Sequence, residues 1–158
     1  MELADFQVLE FLKGRMQELG MQVETDPVGN LHGVLQGSDP EAKSIVIDSH
    51  MDTVMQGGVY DGMLDVTGAK YSTPCDPRLI KLIDDVCTEK GISHVIMPSG
   101  AGHDANAMAH EGVPVGMIFV PSVKGISHQG DEYTKPEHID MGADVLYQTV
   151  LKLDENGF

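Results

Sequence analysis

The 158-residue chain has no tryptophan, two cysteines and only ten basic residues. Two cysteines, Cys75 and Cys87, do not make a disulfide scaffold, and the default reading is a pair of free thiols in a cytoplasmic protein. No apolar run approaches the ~18–20 residues that a membrane span needs. The opening stretch, MELADFQVLEFLKGRMQELG, lacks the basic start and small-residue cleavage site of a signal peptide. Ten Lys and Arg stand against 25 Asp and Glu, giving a formal charge of −15. That excess repels phosphate, so nucleic acid and anionic membrane surfaces are not expected partners. It suits divalent cations.

What is present is one domain's worth of chain, 41 % hydrophobic and 22 % charged, which argues against wholesale disorder. Residues 1–19 carry Leu3, Phe6, Val8, Leu9, Leu12, Met16 and Leu19 near the helical period, with Gly20 placed to cap the helix. Asp26-Pro27 and Gly29-Asn30 mark a turn before a short strand from Leu31 to Leu35. Ser44 to Ile47 reads as a buried strand. Residues 48–73 read mostly as loop, and loops of that length are often functional. A helix follows, with Asp76 as N-cap, Pro77 in its first turn and Leu79, Ile80, Leu82, Ile83 and Val86 apolar, ending at Gly91. Strands are expected at 92–97 and 115–120, and helices at 103–111 and 136–153. The last should turn Ile139, Met141, Val145, Leu146, Val150 and Leu153 inward. Strands alternating with helices imply an α/β layered fold with a mostly parallel sheet.

Ligands of open α/β sheets bind beyond the carboxyl ends of strands. Four loops there carry His50, Asp61, His103 and His128. Asp52, two residues from His50, could hold that ring's second nitrogen and fix its tautomer. Glycines around Asp61, in GGVYDG, would let the backbone bend a carboxylate back toward His50. A carboxylate can bridge two metals. The bland alternative is that these groups cap loops and bond to backbone. His32 reads as a structural strand residue, His94 and His110 as surface or loop residues, and His138 as solvated near the start of the last helix. The ten methionines read as adaptable packing.

In order, SHMDTV, GGVYDG, PSGAGHDA, MIFVPS and GISHQGDEYT resemble the dinuclear metal amidohydrolases of the aminoacylase and carboxypeptidase superfamily. The branch they are most similar to is that of allantoate amidohydrolases and N-carbamoyl-L-amino-acid hydrolases, which DPVGNLHGVLQG also resembles. The resemblance covers about residues 1–64 and 74–158. It implies a three-layer αβα catalytic domain. It also implies His50 on one metal, His128 on the other, Asp61 bridging, Asp52 orienting His50, and His103 on the substrate side. Zn, Mn or Co would suit such ligands.

Family members carry more between the DG motif and the second half. They have a Glu-Glu pair that supplies the general base and a metal ligand, a further metal-binding His, and an inserted lid and dimerisation domain. No Glu-Glu pair occurs here. Residues 65–73 instead join an N-terminal part, 1–64, to a C-terminal part, 74–158, in one shortened catalytic domain without the lid. Two ligands per metal predict weak binding, with Asp65, Asp131 or Glu132 as possible substitutes. The reading is therefore a metal-dependent hydrolase of linear amide or ureido C–N bonds, impaired by the missing pair and acting on a small-molecule substrate. The first alternative is an inactive remnant that binds metal weakly or not at all and self-associates through an exposed sheet edge. The second is a binding module whose GAGHDA loop holds a small acid.

Overall fold

A computed structural model describes residues 3–49, 73–99 and 101–157. The chain divides into two compact units, residues 1–53 and 54–158.

In the first unit, α1 spans Leu3–Glu18. It stops as the sequence predicts. Gly20 takes a left-handed φ of 79°, and Gly20 N–H and Met21 N–H bond back to Gln17 O and Met16 O at 3.0 Å each. This paired ending satisfies carbonyls that a helix otherwise leaves open. Val8 and Leu19, expected on the inward face, are exposed at 44 % and 65 %. The packed face is narrower, with Leu9, Leu12 and Met16 half-buried.

After α1 the chain forms a hairpin, β1 (Gln22–Thr25) pairing antiparallel with β2 (Leu31–Val34). The sequence reading found β2 and the turn but not β1, whose apolar content is a single Val23. The turn is organised by Asp26. Its carboxylate accepts the N–H groups of Val28 and Asn30 at 2.9 Å and the Asn30 side-chain amide at 2.8 Å. Chiefly through the Asn30 N–H, these donors lower the Asp26 pKa to about 2. The support Asp26 gives the turn is thus present above the ordinary carboxylate range and is lost as pH falls toward 2. His32 sits on β2 opposite Glu24, as a strand residue should, with Nε2 3.5 Å from Asp26.

In the second unit, α2 spans Pro77–Glu89 and α4 spans Pro136–Asn156. Asp76 caps α2 by accepting Arg78 N–H at 2.8 Å, and Pro77 opens the helix without wasting a donor. Asp76 N–H also donates to Val115 O at 2.8 Å, tying the start of α2 to the segment before α4. Gly91, at φ 66°, ends α2 in the same paired fashion as Gly20, with Ile92 N–H on Cys87 O at 2.8 Å and Gly91 N–H on Thr88 O at 3.0 Å. The core lies between α2 and α4. Val86, Cys87, Val145 and Thr149 are buried, with Ile83, Ile92 and Ile118 packed around them. Thr149 satisfies its hydroxyl on Val145 O. Lys90–Asp144 and Lys152–Glu89 ion pairs span the two helices at 2.7 and 2.6 Å. The inward set expected for α4 is corrected. Val145 is buried, but Ile139, Met141 and Leu146 are exposed, and Thr149 takes an inward place instead.

A short helix, α3 (Asp104–His110), ends at Gly112, again left-handed. His110 closes it and is exposed. Both cysteines are free, as expected; Cys87 is buried, which pushes its thiol pKa up.

The parallel sheet is where the described structure departs from expectation. The hairpin is the one paired sheet among the described residues, and it is antiparallel. Segments 44–47, 92–97 and 115–120 follow no strand pairing. A strand is defined by its partner, and a continuous apolar run needs neighbours on both faces. No described strand lies alongside these runs, and Val46, Val95 and Ile96 are exposed at 72 %, 77 % and 66 %.

Candidate functional site

His50, Asp52 and Asp61, three of the five site residues expected from sequence, lie outside the described residues, as do Asp65 and most of the 65–73 junction. His103 and His128 are described, and both lie in the second unit.

His128 sits in a loop pinched at its base. Ser122 and Thr134 form an antiparallel bridge, and Val123 N–H donates to Tyr133 O at 2.8 Å. Inside, Ser122 Oγ donates to Ile126 O. Lys124 and His128 take left-handed φ values of 62° and 59°. A non-glycine residue there is uncommon and costs of order 1 kcal/mol or more, so the closed loop must hold it. Glu132 does part of this, accepting His128 N–H at 2.6 Å. Glu132, a substitute metal ligand by sequence, commits one carboxylate oxygen to shaping the loop.

His103 precedes α3. Its Nε2 lies 2.7 Å from Ser99 Oγ, which also accepts Ala101 N–H at 3.2 Å. Its ring packs on Phe119 with centroids 5.5 Å apart and planes tilted by 56°. Ser99 and Phe119 escaped the sequence reading. The available signal was the four-residue spacing of Ser99 and His103 in SGAGH.

Two further histidines were read from sequence: His94 is an exposed loop residue, as expected, and His138 departs from its reading. His94 is anchored on both nitrogens, Nε2 to Asp84 Oδ1 at 2.7 Å and Nδ1 to Ile92 O at 2.8 Å. The Asp84 bond is the main reason its pKa is raised above the usual histidine value. Among the charged groups on α2, Lys81 also faces Asp84. Stability from a raised histidine is fully present below the unfolded pKa and is lost as pH rises through the folded one. Asp84→Asn should therefore lower the His94 pKa toward the ordinary histidine value and flatten this downward slope of stability with pH, the Ile92 O bond remaining. NMR titration of the ring and melts from pH 5.5 to 8.5 check both. His138, read as solvated, instead has a buried Nδ1 with no partner among the described residues.

No set of three His, Cys, Asp or Glu side chains converges on a metal position among the described residues. A depression of about 460 Å³ lined by Lys90, Ile92, Glu137, Asp140, Met141 and Asp144 lies beside the helix pair and includes none of the expected site residues. No helix among the described residues is long and apolar enough to cross a membrane.

Peptidase family M20/M25/M40 matches residues 60–152, and the chain belongs to that family. Membership of that family implies an α/β fold, the coarse class read from sequence. Among curated relatives, a ureidoglycolate hydrolase of Arabidopsis thaliana is 44 % identical over 78 residues, which is 49 % of this chain and 16 % of that protein. An N-carbamoyl-L-amino-acid amidohydrolase of Rhizobium meliloti is 40 % identical over 80 residues, 51 % of this chain and 19 % of that protein. An allantoate deiminase of Glycine max is 33 % identical over 66 residues, 42 % and 14 %. The matched part thus spans less than a fifth of each of these relatives. No solved structure matches the chain.

Proposed function

We propose that the chain is a shortened catalytic domain of a hydrolase acting on linear amide or ureido C–N bonds, with allantoate or an N-carbamoyl amino acid as the small-molecule substrate. The observation that carries this is the family match over residues 60–152, joined to relatives whose names all denote hydrolysis or deimination of ureido compounds. In this reading His50, Asp61 and His128 hold a divalent cation (Zn, Mn or Co), Asp52 orients His50, and His103 faces the substrate. Residues 1–64 and 74–158 form one cytoplasmic domain joined through 65–73, with 44–47, 92–97 and 115–120 as strands of a three-layer, mostly parallel sheet. Their apolar side chains support that placement. The same exposed edges would favour pairing with a second copy.

Activity is impaired in this reading, because no Glu-Glu pair is present and a missing general base costs roughly 10²–10⁴-fold. That absence also favours the second reading, an inactive remnant. Calorimetric titration of the metal-stripped chain with Mn²⁺ and Zn²⁺, beside Asp61→Ala, separates the two. The hydrolase reading expects weak binding that Asp61→Ala abolishes, with slow turnover of allantoate lost in the same variant. Binding that is absent, or unchanged in the variant, would leave the motifs as ancestry.

A further inference from the structure

We infer that Ser99 is a positioning residue that fixes the ring tautomer of His103 and so turns Nδ1 into a hydrogen-bond donor. The 2.7 Å separation of Ser99 Oγ and His103 Nε2 is near the centre of the range for an O–H donor and at the short end for an N–H donor. A serine hydroxyl has one proton to give and two lone pairs to fill. Ala101 N–H already fills one of them, and no other acceptor for the hydroxyl proton is found among the described residues. The hydroxyl therefore donates to Nε2. A neutral imidazole carries one proton, so a ring that accepts at Nε2 is protonated at Nδ1.

The rest of the local structure holds that arrangement. His103 has extended backbone, φ −142° and ψ 154°, just before α3. The Phe119 ring lies against the imidazole and restricts its rotation. Ser99 lies four residues upstream, in a segment that has left the 92–97 run. Hydroxyl and imidazole thus come from the one loop before α3, and the aromatic ring from the extended 115–120 segment of the same unit. Nδ1–H has no partner among the described residues, which leaves it available to a ligand. Its chemical match is an acceptor oxygen, a carboxylate or a ureido carbonyl. Assigning that oxygen to a substrate rests on the hydrolase reading above; the tautomer does not.

The test is long-range ¹H–¹⁵N NMR of the full chain at a pH where the ring is neutral. Free histidine favours the Nε2–H form, so an Nδ1–H ring at His103 is a specific signature. It is expected in the unmodified chain and in Ser99→Thr, and it is expected to revert to Nε2–H in Ser99→Ala with the circular dichroism unchanged. An Nε2–H ring in the unmodified chain, or an Nδ1–H ring that survives Ser99→Ala, overturns the inference. N-carbamoylglycine is then added as the probe. A shift of the Nδ1 proton that disappears in Ser99→Ala supports the donor role. An Nδ1–H ring that ignores the probe overturns the donor role and leaves the tautomer assignment standing.

Discussion

Val86→Asp is expected to abolish cooperative unfolding of the second unit. Val86 is 1 % exposed and sits with Cys87 and Val145 at the centre of the α2–α4 contact. A carboxylate there would stand among apolar side chains, and burying a charge costs several kcal/mol. The stability of an ordinary domain is about 5–15 kcal/mol, and few side chains are fully buried here to absorb the loss. Val86→Ala grades the effect. It removes two methyl groups and leaves a void, which should cost about 2 kcal/mol. Val28→Asp is the control, because Val28 is 83 % exposed and should stay within about 0.5 kcal/mol. Thermal melts followed by circular dichroism read all three. A sigmoidal transition retained in Val86→Asp would mean that the helix pair is not the centre of stability.

Gly142→Ala should destabilise the same unit, against the usual sign. In an exposed helix interior, alanine improves on glycine by about 1 kcal/mol. At Gly142, however, an added Cβ would run into Val120 Cγ1. Valine is stiff at χ1 and cannot swing away cheaply. Overpacking of this kind costs about 1–3 kcal/mol, enough to cancel or exceed the helix gain, so a net loss of up to about 2 kcal/mol is expected. Gly14 in α1 has nothing within 4 Å of its built Cβ, and Gly14→Ala should give the ordinary gain. Denaturant titration of both variants compares the signs directly. A stabilised Gly142→Ala would show that α4 and the 115–120 segment are not held at the separation described.

Features written in adjacent residues were the legible ones. The Asp76-Pro77 start of α2, the Gly20 and Gly91 endings and the Asp26 turn each depend on a cap or a backbone angle that one or two residues dictate. The helix bounds moved by a few residues at most. Features that depend on distant partners were not legible. Val8 and Ile139 share the periodicity of Leu9 and Val145, and period alone does not say which flank of a stripe meets a neighbour. The apolar runs at 92–97 and 115–120 announce burial but not what covers them. At the site, His103 was singled out from its motif, whereas its contact with Phe119 crosses 16 positions of chain and could not be read from spacing. His94 illustrates the same limit. Asp84 lies ten residues away, and only the sharp reversal at Gly91 returns the chain to it.

That reversal belongs to a wider division among the glycines. Gly20, Gly91 and Gly112 have nothing within 4 Å of a built Cβ, yet each has a positive φ. Gly116 and Gly142 have no such angle but face Leu79 and Val120 at close range. A side chain at the first kind of position is opposed by its own backbone, so no change elsewhere in the chain can relieve it. At the second kind it is opposed by a neighbour, and trimming that neighbour restores the room. The first three positions therefore offer no neighbour to trim, whereas a substitution at Gly142 is one that Val120→Ala can rescue.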